Sequence, residues 1–138
     1  MIKAVVDTNC LRASIPPKSP FYKLYQAFES GKFEWYVSNE ILMEYDEIIT
    51  ETYSHKTAQF ILHQLAVAPN VVFSEPAFKW NLILNDPDDK KFSDLAISSN
   101  CDYLVTNDRD FDVFRSIPFP KLAVIDLQSF LELLSKVD

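Results

Sequence analysis

Acidic residues that follow short apolar runs are the side chains of this sequence best suited to chemistry. Asp7 ends the run at residues 2–6, and Asp108 follows the run at residues 103–106 after one asparagine. Short apolar runs bounded by polar residues predict buried strands. In a parallel α/β sheet, ligands bind in the crevice beyond the carboxyl ends of the strands. Both acids are therefore candidate metal ligands or general bases, although an aspartate in this position can also cap the following turn.

A third candidate carboxylate, Glu44, lies within a predicted helix that begins at a cap at Ser38 or Asn39 and ends near residue 52. At about 100° of rotation per residue, the apolar face of this helix centres near Tyr45, and Glu44 falls roughly 100° away. The other glutamates of the helix lie further from that face. Glu44 is therefore the glutamate best placed to reach the edge of the core, and a solvated side chain is the alternative.

Three acids crowd the start of another predicted helix: Asp86, Asp88 and Asp89, with Pro87 predicted at the first helical position. Acids in a first helical turn accept hydrogen bonds from its unpaired N–H groups and interact favourably with the positive end of the helix dipole. Three acids in four residues exceed what capping requires, and a bound cation would relieve their repulsion. Asp126, in contrast, directly precedes an apolar helix and is predicted to be its N-cap.

Hydroxyl and amide side chains flank the two strand-end acids in the sequence; they are Thr8, Asn9, Thr106 and Asn107. Such groups can orient a carboxylate or a bound water, and they are also ordinary turn formers. Two further acids, Asp110 and Asp112, come shortly after Asp108. One of these two is interpreted as a turn former.

The elements that must position these residues alternate between strand and helix patterns. Strand patterns occur at residues 2–6, 34–37, 71–73, 103–106 and 122–125. Helical patterns with a 3.6-residue period lie between most of them, which predicts βαβ units with helices on both faces of a sheet. We therefore expect a single α/β domain over residues 1–138, with three α/β/α layers and a mostly parallel central sheet.

Composition excludes several classes of protein. The chain has 138 residues, a net charge of −7 and one glycine, which excludes a P-loop and a GxGxxG fingerprint. Cys10 and Cys101 are isolated, which argues against a zinc knuckle or a disulfide framework. No apolar run reaches the roughly 18 residues of a membrane helix, and no signal-peptide pattern is visible. We therefore expect a cytoplasmic protein that does not contact a membrane.

The order of the acids indicates a metal site. Acids occur at a strand end, on a crossover helix, at a helix start and at a second strand end, and in a doubly wound sheet these positions can converge on one crevice. Oxygen ligands without histidine or cysteine suit Mg²⁺ or Mn²⁺. A bound cation would also make the net negative charge compatible with a nucleic acid partner. Without metal, crowding should raise the pKa of at least one of these carboxyl groups.

Taken in order, these motifs resemble those of the PIN domain family. The first strand ends in Asp7-Thr8-Asn9, which matches the family pattern D-[TS]-[NS], and Glu44 lies on the helix after the second strand. Residues 86–92 match the DPDD-x-K-F stretch of one bacterial branch, and residues 101–111 match a pattern that contains LVTxDxDF. The resemblance covers essentially the whole chain.

This resemblance implies a Rossmann-like fold and a metal-dependent endoribonuclease, in the branch of toxin components of bacterial toxin–antitoxin pairs. By position in the family motifs, one or two Mg²⁺ or Mn²⁺ ions would be held by Asp7, Glu44, Asp89 and Asp108. Asp88 and Asp94 are alternatives to Asp89 as the third acid. The resemblance further implies an RNA substrate, a cognate antitoxin and a homodimer.

Basic residues near the motifs could contact RNA phosphates or could simply be solvated; they are Lys90, Lys91, Arg109 and Arg115. Two other functions compete with the nuclease. A phosphohydrolase of haloacid-dehalogenase type would need the pattern DxD after the first strand, where this chain has Asp7-Thr8-Asn9. A catalytically inactive PIN fold that binds protein or RNA is the other alternative, and the presence of all four acids favours the enzyme.

Overall fold

A five-stranded, fully parallel sheet forms the centre of the structure, a computed structural model that describes residues 1–76 and 89–137. The strands are β1 (Lys3–Val6), β2 (Glu34–Val37), β3 (Val71–Phe73), β4 (Tyr103–Val105) and β5 (Val124–Ile125). Their order across the sheet is β3-β2-β1-β4-β5, and every pair of neighbours is parallel. Helices cover both sides of the sheet, so the predicted three-layer α/β/α fold is confirmed.

The helices follow the predicted alternation. They are α1 (Thr8–Ser14), α2 (Tyr22–Glu29), α3 (Asn39–Thr52), α4 (His55–Val67), α5 (Lys90–Ser98) and α6 (Leu127–Ser135), with a 3₁₀ helix at Arg109–Arg115. Side chains cap several of them, because the first N–H groups of a helix have no backbone partner. Ser38 accepts a hydrogen bond from the N–H of Ile41 at 3.3 Å, and Ser54 accepts one from the N–H of Thr57 at 3.0 Å.

The strand order creates one crevice at the carboxyl end of the sheet. The chain runs from β1 outward through β2 to β3, and then returns to the other side of β1 as β4. At such a reversal, the connections that follow two neighbouring strands run to opposite sides and leave a crevice between them. Ligands of α/β sheets bind in this crevice. β1 and β4 pair in the register Val6↔Val105, so Asp7 and Thr106 follow paired residues at this point.

Aromatic rings fill the core beneath this edge. Trp35 of β2 is fully buried, with ring centroids 5.2 Å from Phe28, 5.7 Å from Phe33 and 6.3 Å from Tyr45. Residues 4–6 of β1 are also fully buried. Burial on both faces explains why this strand reads as a continuous apolar run instead of an alternating one.

The last strand is shorter than predicted. The sequence predicts the last strand over residues 122–125, but β5 contains only Val124 and Ile125. Leu122 is buried in the core without joining the strand ladder, so its apolar side chain gives a strand signal that the backbone does not follow. Helix α5 begins at Lys90. The predicted helix start around Pro87 lies outside the described residues.

Turn signals at helix ends behave as expected from the sequence. Gly31, which follows α2, has a φ of 71°, and Asn100, which follows α5, has a φ of 52°. Glycine and asparagine tolerate this left-handed conformation better than other residues. In the part of the chain that the structure describes, no helix is both long enough and apolar enough to cross a membrane.

Candidate active site

Asp7 follows β1 directly and is hydrogen-bonded to the end of the neighbouring strand β4. Its backbone N–H donates to the carbonyl of Val105 at 2.9 Å, and the hydroxyl of Thr106 donates to its Oδ2 at 2.7 Å. Asp7 occupies the N-cap position of α1, but its side chain makes no capping hydrogen bond. The hydrogen bond from Thr106 holds the carboxylate at the crevice between β1 and β4.

The pKa of Asp7 is raised above its usual value. Burial is the largest cause, because the side chain is only 5% exposed and the charged form loses hydration. The hydroxyl of Thr106 and the N–H of Thr8 lower the pKa, whereas the negative charges of Glu44 and Asp108 raise it. The expected repulsion between carboxylates is present, but burial has the larger effect.

Glu44 reaches the same crevice from α3. Its Oε2 accepts a hydrogen bond from the hydroxyl of Thr8, and its Oε1 lies 2.9 Å from Nζ of Lys91. Its side chain is 24% exposed, whereas the other glutamates of α3 are exposed to solvent. The helical periodicity that singles out Glu44 therefore identifies a glutamate of α3 that is bonded to residues of α1 and α5.

Three aspartates meet on the β4 side of the crevice. One carboxylate oxygen from each of Asp89, Asp108 and Asp110 lies within 4.8 Å of the others. The backbone N–H of Asp110 donates to Asp108 Oδ1 at 2.9 Å, and the N–H of Asp108 donates to Thr106 Oγ1 at 3.0 Å. Thr106 thus connects Asp108 to Asp7, because its hydroxyl accepts from one and donates to the other.

The structure places the four acids named from the sequence along one crevice. Asp7 interacts electrostatically with Glu44 and Asp108, and Asp89 lies beside Asp108. Of the alternatives to Asp89, Asp94 is buried on α5, and Asp88 lies outside the described residues, as does Asp86. Sequence reasoning misses the carboxylate of Asp110, although its spacing of two residues from Asp108 is a usable signal.

Other acids and the histidines have ordinary structural roles. Asp126 caps α6, as predicted, by accepting from the N–H of Ser129 at 2.8 Å. Asp112 forms a surface ion pair with Arg115 at 3.2 Å. His55 and His63 are exposed on α4. These groups leave the crevice to the carboxylates described above.

The donor set fits a hard divalent cation. Asp89 supplies an oxygen donor from the start of α5, Asp108 and Asp110 supply theirs from the start of the 3₁₀ helix, and the crevice walls add Asp7 and Glu44. Mg²⁺ and Mn²⁺ prefer such carboxylate oxygens, with water completing the coordination. Like charges this close repel one another, and a cation between them would remove that repulsion.

A family model of the PIN domain matches residues 3–110 of this sequence. The chain belongs to the PIN domain family. The matched part contains β1 to β4 and all the carboxylates of the crevice. No curated protein sequence matches the chain.

Solved structures with the same fold include relatives from two bacteria. A chain in the crystal structure of VapBC2 from Rickettsia felis, bound to a DNA fragment from their promoter, is similar with a TM-score of 0.59 and 18% identity over 91% of this chain and 98% of that chain. Mycobacterium tuberculosis VapC20, a Sarcin-Ricin loop cleaving toxin, is similar with a TM-score of 0.60 and 12% identity over 80% of this chain and 93% of that chain. At these identities, the likeness shows that this PIN domain shares their fold.

Proposed function

We propose that this PIN domain is a metal-dependent endoribonuclease that acts as the toxin of a toxin–antitoxin pair. The observation that carries the proposal is the meeting of carboxylates from separate elements at the crevice between β1 and β4. Carboxylates that converge in a cleft are the arrangement that metal-assisted phosphodiester hydrolysis requires. The family membership and the fold shared with VapC20 support the same reaction class.

In this proposal the acids named from the sequence hold the metal. Asp7, Asp89 and Asp108 would bind one or two Mg²⁺ or Mn²⁺ ions directly, Glu44 would act through water, and Asp110 is placed to assist. When bound, such an ion polarises a phosphoryl oxygen and lowers the pKa of a coordinated water.

The chain's own residues would orient these acids. Thr106 fixes the carboxylate of Asp7 by its hydrogen bond to Oδ2. Thr8 and Lys91 fix the two oxygens of Glu44, and each of those oxygens keeps a second lone pair that can accept a proton from an attacking water. The groups are preorganised, so little reorganisation is needed when substrate binds.

The partners follow from the same reasoning. The substrate would be RNA, since VapC20 is a toxin that cleaves the Sarcin-Ricin loop. A cognate antitoxin is proposed because the structure from Rickettsia felis is of VapBC2. A homodimer that acts in the cytoplasm, with residues 1–138 as a single domain, completes the proposal.

A cleavage assay with purified protein and fluorescently labelled RNA tests this function. We expect cleavage with Mg²⁺ or Mn²⁺ and none with EDTA. Asp7→Asn should lower the rate by at least about 100-fold, because the loss of even an outer partner of a metal site typically costs 10–100-fold. Asp112→Asn is the matched control. It also removes an acid from the 3₁₀ helix, but the Asp112 carboxylate pairs with Arg115 at the surface.

Three results would contradict the proposal. Cleavage that persists in EDTA would exclude metal dependence. Tight RNA or antitoxin binding without cleavage, unchanged by Asp7→Asn, would instead favour an inactive PIN fold that serves as a binding module. Equal losses in Asp7→Asn and Asp112→Asn would show that general negative charge, and not the crevice, matters.

A further inference from the structure

Lys91 places a positive charge inside the carboxylate crevice. It is the second residue of α5, directly after the helix start that carries Asp89, and its side chain is only 12% exposed. Its Nζ lies 2.9 Å from Glu44 Oε1 and 5.5 Å from the centroid of the Phe92 ring. The sequence leaves open whether this lysine is solvated or meets phosphate. In the structure it is withdrawn from solvent and bound to an acid of the site.

An ammonium group withdrawn from water is stable only when it is paired. Glu44 supplies that pairing, and in return Lys91 neutralises the charge of Glu44 next to Asp7. The other oxygen of Glu44 accepts from Thr8. The carboxylate of Glu44 is therefore held on both oxygens by protein donors, through contacts that join α1, α3 and α5.

The β4 side of the crevice is different. There, the carboxylates of Asp89, Asp108 and Asp110 contribute oxygens within 4.8 Å of one another. The crevice thus has two unlike halves. One half is acidic and fits a divalent ion, whereas the other already contains an ammonium ion bound to its glutamate.

We propose that Lys91 is a positioning residue whose ammonium group takes the place of a second metal ion beside Glu44, so that this chain binds a single divalent ion, on the aspartate side. The inference rests on the proposed nuclease function and specifies its metal content. A lysine in this position keeps Glu44 oriented before any metal binds. It also limits the number of ions by charge, because a second cation beside Glu44 would be repelled by the ammonium group.

Binding of Mn²⁺ alone, measured by calorimetry and by electron paramagnetic resonance on the whole chain, tests the proposal. The wild-type protein should bind one ion per chain. Lys91→Met removes the ammonium group but keeps a side chain of similar length. Glu44 then lacks its cationic partner, and its carboxylate should bind a second ion. Lys91→Arg keeps a cation beside Glu44 and should restore binding of a single ion, which a purely structural role would not predict.

Lys90→Met is the matched control, since it removes the same charge from the neighbouring residue of α5 and should leave the number of bound ions unchanged. If Lys91→Met alone does not fold, the double variant Lys91→Met/Glu44→Gln removes both charges of the pair. It should bind one ion. A second ion bound by this double variant would overturn the proposal, because Glu44 could not then be its ligand.

The outcomes separate this inference from the nuclease proposal. Two ions on the wild-type chain, or a single ion on a folded Lys91→Met variant, would overturn the role of Lys91 even if RNA cleavage depends on metal and on Asp7. A change from one ion to two in Lys91→Met, without any RNA cleavage by the wild-type protein, would support the role of Lys91 and overturn the nuclease. No Mn²⁺ binding by the wild-type chain would overturn both.

Discussion

At the scale of single residues, hydroxyl groups fix the carboxyl edge of the sheet. Tyr45 of α3 is fully buried, and its hydroxyl donates to the carbonyl of Val6, the last residue of β1, while accepting from Nε1 of Trp35 at 3.3 Å. Burial raises the pKa of Tyr45 far above its usual value, so the hydroxyl stays protonated and remains a donor. The end of β1, directly before Asp7, is therefore anchored to α3.

Tyr45→Phe should destabilise the protein by about 1–3 kcal/mol, because it leaves a buried carbonyl and a buried indole N–H without this partner. Urea denaturation followed by circular dichroism measures the loss. Tyr53→Phe is the control, since the Tyr53 hydroxyl also donates to a carbonyl, that of Arg12 at 2.7 Å, but in an exposed position. Equal losses in the two variants would contradict the role of burial.

The candidate acids can be predicted from the sequence because each lies at an element boundary or on a periodic helix face. Their partners cannot. Thr106 and Asp7 are 99 residues apart in sequence, and periodicity reports the face of an element but not which side chain meets it from another element. Lys91 is ambiguous in the sequence for the same reason. The sequence offers a turn-forming role for Asp110, and its N–H does make that turn, but its carboxylate also joins the cluster.

At the scale of elements, α6 is attached to the site by its first turn. Asp126 accepts from the N–H and the hydroxyl of Ser129, at 2.8 and 2.9 Å, and Asn107 accepts from the N–H of Leu127 at 3.0 Å. The N–H of Ser129 is the largest cause of a lowered pKa for Asp126. Asn107, which lies between β4 and Asp108, is therefore hydrogen-bonded to the first turn of α6.

The stability contributed by the charge of Asp126 should depend on pH. Because its pKa is lowered in the folded protein, the charged cap stabilises the fold above the pKa of 3.8 that is usual for aspartate, and it loses this effect as the pH falls through the folded value. Asp126→Asn keeps a capping side chain but removes the charge, so it should cost about 0.3–1 kcal/mol at neutral pH and nothing at strongly acidic pH. Urea denaturation at several pH values measures this difference.

Glu132→Gln is the control for this pH series, since it removes one carboxylate from α6 away from the N-terminus. It should show little of the pH-dependent difference. Identical pH profiles for Asp126→Asn and Glu132→Gln would mean that the cap interaction has no effect on stability.

Most elements can be predicted because their signals are local. Capping residues and apolar periodicity define α3, α4 and α6, and buried apolar runs define β1, β2 and β4. Strand β5 is shorter than predicted because hydrophobicity at Leu122 reports burial and not backbone pairing. Predicting the order of the strands also requires the rule that crossover connections are right-handed. Local sequence signals do not indicate on which side of β1 the chain returns.

At the scale of the whole molecule, five carboxylates of a chain with a net charge of −7 lie at the carboxyl end of the sheet. Millimolar Mg²⁺ or Mn²⁺ should raise the melting temperature of the wild-type protein, because a ligand that binds only the folded state stabilises it by about 2.7 kcal/mol at 100 times its Kd. In EDTA, Asp7→Asn should melt higher than the wild type, since it removes a buried charge that faces Glu44 and Asp108. Differential scanning fluorimetry measures both effects.

The metal-induced gain should shrink in Asp7→Asn and stay complete in Asp112→Asn, whose side chain lies at the surface outside the crevice. A gain of the same size in all three proteins would mean that the metal acts elsewhere. A wild-type protein that melts at the same temperature with EDTA and with metal would contradict a shared metal site in the crevice.

The pairing of β1 with β4 also has a consequence for synthesis of the protein on the ribosome. Residues 1–76 contain Asp7 and Glu44, but Asp89 and Asp108 are made much later, and Thr106, which orients Asp7, is 99 residues away from it. Domains begin to fold while their chains are still emerging, and contacts between distant residues form late. An incomplete chain therefore holds only half of the crevice, and a ribosome that carries it is not exposed to the completed site of the proposed nuclease.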